Sequence, residues 1–222
     1  MSLLRSISKN SALLFFFALV TAGILAGTYK GTKEAIAAAE RQAAEKALLE
    51  IIPAERIDND LLLDTRPLPE TARAQLNIRD DSPIHIARKN HRIIAVIVPA
   101  VAPDGYSGDI KLIAGINRDG TLAGVRVLNH RETPGLGDKI DLKKSDWITT
   151  FNGLSLTNPA SAKWKVKKQG GAFDQFTGAT ITPQAVVRQV KNLLEFVDGN
   201  KAQLFNIDSA NSNSVNNADK SS

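Results

Sequence analysis

Residues 12–29, ALLFFFALVTAGILAGTY, form an uncharged and mostly apolar run of 18 residues. Such a run is just long enough to cross a hydrocarbon core of about 30 Å as a helix. Arg5 and Lys9 precede it without an acid, whereas Lys30 and Lys33 after it are mixed with Glu34 and Glu40. The excess of positive charge predicts a cytoplasmic N-terminus and export of everything that follows. A cleaved signal peptide is the alternative, since Ala22 and Gly23 supply small residues. The run exceeds the usual signal core of about 7–15 residues, which favours an anchor. Beyond it, 23% charged and 43% hydrophobic residues are too polar for further spans and normal for one folded domain.

Composition removes several function classes. The chain has no cysteine, which excludes disulfides, thiolate nucleophiles, Cys-held iron–sulfur clusters and Cys-based zinc sites. Any electrons carried here need an organic cofactor. His85, His91 and His130 lack close metal-ligand spacing, so no metal site is expected. The net charge of +5 comes with only 5% aromatic residues and no nucleic-acid motif, and no nucleic-acid partner is expected. There is no Ser-His-Asp order with motif support and no grouped pair of carboxylates, so no catalytic residue is assigned.

From Thr32 to Ile52 the apolar residues Ile36, Ala39, Ala43, Ala47 and Ile51 recur near helical spacing, and Pro53 ends the pattern. It reads as a helix that stands a domain off the bilayer. β structure is expected from 93 to 130: Ile93 to Val98 is β-branched and apolar, Ile110, Leu112, Ala114 and Ile116 alternate, and Val125 and Val127 follow an Asp119–Gly120 hairpin turn. Ala162, Trp164 and Val166 alternate with Lys163, Lys165 and Lys167, which predicts another strand with its lysines outward. Val186, Val187, Val190, Leu193, Leu194 and Val197 form a helical stripe, with Thr182 as N-cap, Pro183 as first residue and Gly199 as a stop. The expected fold class is α+β: antiparallel strands with flanking helices. The expected organisation is a cytoplasmic segment 1–11, a span 12–29, a stand-off helix 30–56, one extracytoplasmic domain 57–206 and a disordered tail 207–222.

Two loops carry the chemistry. The first is Asp174-Gln175-Phe176-Thr177-Gly178-Ala179-Thr180, leading into Ile181 and Thr182. Its small residues let the backbone approach a bulky ligand, and it runs into a helix start whose free N–H groups and positive dipole end suit a phosphate on Thr180. Taken alone, the same residues also describe an ordinary loop and cap before a helix. The second is Asn129-His130-Arg131-Glu132-Thr133-Pro134-Gly135-Leu136-Gly137. Its proline and glycines dictate a tight turn with exposed N–H groups, suited to lining a planar ring, while Glu132 and Thr133 add polar contacts.

The first loop resembles the covalent attachment signature of the FMN-binding domain family: an Asp, two residues, Ser or Thr, Gly, Ala, Thr, and another Ser or Thr two positions on. Every position is filled, with Thr177 where many members have serine. The Glu-Thr-Pro-Gly-Leu-Gly string at 132–137 resembles the family's second hallmark, a loop that lies against the flavin. The resemblance implies FMN joined by a phosphoester bond to Thr180. It places Asp174, Thr177, Gly178, Ala179, Ile181, Thr182, Glu132, Thr133, Leu136 and Gly137 around the cofactor. It further implies a flavin transferase, using FAD and magnesium, that installs the flavin outside the cytoplasm and recognises Asp174. Features along nearly the whole chain, including Asn59 to Leu63, Gly105-Tyr106-Ser107-Gly108 and Lys144-Ser145-Asp146-Trp147, are similar to flavin subunits of ion-translocating complexes in the bacterial inner membrane. The implied role is electron transfer between neighbouring subunits, in an Rnf-type complex linked to ferredoxin and NAD. A sodium-pumping NADH:quinone reductase is the alternative complex. A periplasmic flavin-binding module without electron transfer is the alternative role.

Overall fold

The computed structural model describes residues 2–205. The side chains of Arg5, Lys9, Ala12, Lys30, Lys33, Glu34, Ile36, Ala39 and Glu40 lie outside the described part, as do residues 206–222, where the disordered tail is expected. The chain forms two compact units, Met1–Ala44 and Glu45–Ser222. The first is helical throughout its described residues and belongs to α1, Ser2–Ile51. Among the described residues, no helix is long and apolar enough to cross a membrane. Within 13–29, Leu13, Phe15, Phe17, Leu19, Ile24 and Leu25 nevertheless stand exposed.

The second unit is built on a five-stranded antiparallel meander, with strands in the order β1 to β5. These are β1 Thr65–Arg66, β2 Ile84–Lys89, β3 Arg92–Gly105, β4 Gly108–Asn117 and β5 Leu122–Asn129. Alternation along the strands divides the core between the two faces. Ala95, Ile97 and Ile113 face Leu48, Ile51 and Ile52 at the end of α1. Val96, Val98, Leu112, Ala114 and Ile116 face the opposite cluster. A Cβ added to Gly115 would lie 2.3 Å from Ile51 Cγ2, so that glycine lets the helix end sit directly on the sheet. Arg126, itself mostly covered, holds the same end through Glu50 at 3.0 Å.

The opposite face is covered by α3, Ile181–Gly199, whose Val186, Val190, Leu193 and Val197 are buried, followed by α4, Lys201–Phe205. An aromatic cluster extends this core: Phe151 stacks on Phe173 with ring centroids 4.8 Å apart, and Trp147 meets Phe176 edge-on at 5.1 Å. A short helix, α2 Glu70–Gln75, lies between β1 and β2.

The expected strand at 162–167 does not form. Trp164 and Val166 are buried and the lysines exposed, as the alternation requires, but Ala162 is exposed and the segment is flanked by two short 3-10 turns, Ser161–Lys163 and Lys167–Gln169. Gly170 at φ +79° turns the chain back on itself, which leaves only an isolated bridge between Val166 and Phe173. A strand needs a neighbour along its length, and the alternation recorded burial rather than pairing. The β2–β3 hairpin carries no glycine signal in the sequence. Its turn places Asn90 at φ +50° and His91 at φ +63°, where a histidine stands in place of the usual glycine.

His85 on β2 donates from Nδ1 to the Leu61 carbonyl at 2.8 Å, and burial holds its pKa below the ordinary 6.5. The fold therefore favours the neutral ring. That contribution is complete above the unfolded pKa and is lost as pH falls below about 6.5, because the unfolded chain then takes up more protons. Denaturant unfolding at pH 7.5 and 5.5 is expected to show a smaller pH-dependent loss of stability in His85→Gln than in the parent.

Candidate functional site

The loop after β5 and the start of α3 face each other across a pocket of about 390 Å³. Glu132, Thr133, Leu136 and Gly137 line it from the first loop, and Gly178, Ala179, Thr180, Ile181 and Thr182 line it from the second. Tyr106, on the turn between β3 and β4, completes the lining. The two loops thus converge although about 40 residues separate them, because the meander and α3 bring their ends to one edge of the domain.

Each loop is shaped by its own backbone. The N–H groups of Leu136 and Gly137 both donate to the Thr133 carbonyl, at 3.1 and 3.2 Å, which closes the turn. Gly135 sits at φ +78° with open space around it, so it supplies conformation there. Gly137 supplies room: a Cβ would come within 2.7 Å of Glu132 Oε2 and 2.9 Å of Thr182 Oγ1. On the facing loop, Phe176 and Ala179 form a bridge around Gly178 at φ +80°. Trp147 anchors this loop from behind by donating its indole N–H to the Asp174 carbonyl at 2.8 Å.

A buried carboxylate joins three of these segments. Glu132, 5% exposed, accepts the Thr182 hydroxyl at 2.6 Å and the Ser107 N–H at 3.0 Å. The first bond ties it to α3 and the second to the Tyr106 turn. Thr182 is therefore not the N-cap expected from the sequence. The cap position is Thr180, one residue before Ile181, and its side chain makes no capping bond. Thr182 instead stands in the first turn, wholly buried, because Glu132 offers its hydroxyl a charged acceptor that solvent-facing capping could not match. Pro183 likewise occupies the first turn, where a missing N–H costs nothing.

Nine of the residues expected at the site thus line the pocket. Asp174 and Thr177 do not: both are exposed, and Asp174 pairs with Lys167 at 2.6 Å. Tyr106 and the Ser107 N–H join the site without having been expected there. Their only local signal is a glycine-flanked aromatic at a hairpin in a chain with few aromatics.

Residues 105–195, which contain both loops, match the FMN-binding domain family, and residues 1–51 match the RnfG N-terminal region. The domain is thus an FMN-binding one. The G subunit of an ion-translocating oxidoreductase complex from Pseudomonas aeruginosa is 48% identical over 201 residues, covering 90% of this chain and 93% of that protein. The corresponding G subunit of Vibrio vulnificus is 45% identical over 92% of this chain and 95% of its own, and that of Pseudoalteromonas atlantica 45% over 90% and 92%. The chain belongs to the family of G subunits of ion-translocating oxidoreductase complexes.

Proposed function

We propose that this chain is a membrane-anchored electron carrier whose FMN is esterified to Thr180, serving an ion-translocating oxidoreductase complex between neighbouring subunits. The observation that carries the reading is Thr180: it lines the pocket, its side chain makes no capping bond, and it stands at the start of a 19-residue helix. Thr182 is wholly buried and bonded, and Thr177 lies outside the pocket lining, so Thr180 is the hydroxyl of the loop that suits attachment.

The residues present fit the cofactor. The first-turn N–H groups of α3 and its dipole favour a phosphate at Thr180. Glycines at 137 and 178 keep the walls to backbone thickness, and a Cβ on Gly178 would already touch Leu136 at 3.4 Å. Leu136, Ile181 and Tyr106, exposed at 42%, 51% and 69%, offer apolar surface that a flavin ring would cover. FMN supplies the redox chemistry, and the protein supplies attachment, orientation and the charge around the ring. Glu132 fixes the relative position of the three pocket segments. Asp174, exposed on the outer side of the loop, is accessible to a flavin transferase as part of its recognition sequence.

The anchor is residues 12–29. Counting Ala12, the charge-free run reaches 18 residues, or about 27 Å of helix. Its large apolar side chains are exposed around the helix, which demands a nonpolar surrounding. Thr21 and Thr28 donate their hydroxyls back to Phe17 and Ile24 at 2.8 and 2.9 Å, so neither polar group needs water. The domain then lies outside the cytoplasm of a bacterial inner membrane, with the lipid bilayer and the other subunits of the complex as partners.

Two measurements test this. Protein from cells that supply the transferase is expected to keep its flavin fluorescence on a denaturing gel, with an intact mass raised by one FMN less water. Flavin lost on denaturation would instead identify a dissociable ligand. A reporter fused after Ser222 is expected to be active outside the cytoplasm, and a reporter working only inside would reverse the topology.

A further inference from the structure

The loop that carries Glu132 into the pocket leaves the sheet at Asn129, the last residue of β5. Among the described residues, the main chain of His130, Arg131 and Glu132 makes no hydrogen bond to other backbone groups. One side chain holds it instead: the Glu132 N–H donates to Nδ1 of His130 at 3.1 Å. A ring nitrogen accepts only through a free lone pair, so this ring is neutral and carries its proton on Nε2. The contact has the form of an Asx turn, in which a side chain accepts from the N–H two residues further on.

That turn positions a carboxylate enclosed on both sides. Besides the bonds from Ser107 and Thr182, Gly105 closes on it from β3, where a Cβ would come within 2.8 Å of Glu132 Oε1. Gly137 does the same at Oε2. With its head so confined, Glu132 cannot follow a movement of its own main chain without disturbing those bonds. An imidazolium carries N–H groups on both nitrogens and accepts nothing, so protonation of His130 sets two donors against each other and opens the turn. Neighbouring charges offer the ring no other partner. On β4, Lys111 lies opposite Asn129 and pairs with Asp80 at 3.2 Å. Asp104 on β3 pairs with Arg188 on α3. Arg131 on the loop, Asp138 and Lys139 in the 3-10 turn Gly137–Ile140, and Asp146 at the start of Asp146–Phe151 make no hydrogen bond or ion pair with the ring.

We propose that His130 is a positioning residue for the flavin site: its neutral ring clasps the Glu132 main chain, and its protonation releases the loop, so that the site responds to the pH around the domain. The inference rests on the reading of this pocket as the flavin site. The clasp itself is a property of the chain and exists without flavin.

Two variants test this: His130→Asn, whose Oδ1 takes the place of Nδ1 and accepts the same N–H without titrating, and His130→Ala, which accepts nothing. Full-length protein in detergent, free of flavin, is labelled with ¹⁵N-glutamate and ¹³C-histidine. The Glu132 amide is the signal missing in Glu132→Gln, and the His130 ring is the one missing in His130→Asn. As pH falls, the Glu132 amide proton is expected to move upfield with the same midpoint as the His130 ring and independently of His85 and His91. His130→Asn is expected to hold it near the parent's high-pH position throughout, and His130→Ala near the low-pH position. In flavin-loaded protein, the midpoint potential of the parent is expected to match that of His130→Asn above the ring's titration and to lie above it at lower pH, because a positive charge near the flavin favours the reduced state. A Glu132 amide that ignores the His130 titration, or that still moves in His130→Asn, would overturn the clasp. Potentials that differ by the same amount at every pH would overturn its tie to the flavin. Flavin released from denatured parent protein would count against covalent attachment alone and leave the amide titration to decide the clasp.

Discussion

Thr180→Ala is expected to give a folded protein with no covalent flavin. Alanine has no oxygen to esterify, so fluorescence on a denaturing gel falls to background and the intact mass loses the whole FMN increment. Replacing an N-cap threonine ordinarily costs about 0.5–2 kcal/mol. Here the Thr180 side chain makes no capping bond, and the stability of the apo chain is expected to change by less than about 0.5 kcal/mol. The control is Thr182→Val, which leaves the Thr180 hydroxyl intact and deletes the bond to Glu132. That variant is expected to lose about 1.5–3 kcal/mol, the range for hydrogen bonds to charged groups, and to keep its flavin. An FMN mass increment on Thr180→Ala would sink the attachment site, and an increment lost only in Thr182→Val would move it.

Glu132→Gln tests whether the carboxylate that joins the pocket segments also sets the electronics. It accepts from both Ser107 and Thr182, whereas glutamine offers one acceptor oxygen and an amide that donates. One partner must therefore lose its acceptor, and a destabilisation of about 1–3 kcal/mol is expected in denaturant unfolding. Covalent flavin should persist, since Thr180 is untouched. Removing a negative charge beside the pocket favours the more negative, reduced cofactor, so the midpoint potential is expected to rise. Spectroelectrochemical titration of the loaded protein measures this. A lower potential would contradict the electrostatic argument, and an unchanged one would restrict Glu132 to a positioning role.

The glycines separate into two kinds that the sequence presents alike. Gly135 is surrounded by open space, so Gly135→Val strains the backbone at positive φ without crowding a neighbour. Gly137 packs against Glu132 and Thr182, and a side chain there pushes directly on the bond between them. The turn residues were legible from Pro134 and its flanking glycines, but which glycine supplies conformation and which supplies room depends on what folds over them.

Much of the molecule follows from local pattern. Period-two alternation at 110–116 pointed to β4, the β-branched apolar run from Ile93 to Val98 to β3, and period 3.6 to α3, whereas β1 and β2 carried no pattern that was read as a strand. The loop at 174–180 stood out because its motif is contiguous, and the resemblance of that motif, rather than local physics, is what singled out Thr180 as the proposed attachment point. Tertiary structure decided the rest. It set the buried Trp164 and Val166 between two exposed 3-10 turns by denying the 162–167 alternation a strand neighbour, and it removed Thr182 from the cap by bringing Glu132 beside it from 50 residues away. It also placed Tyr106 at the pocket and kept Asp174 out. Local sequence fixes which way a chain turns, whereas burial and hydrogen-bond pairing between distant segments depend on which surfaces the completed fold brings together.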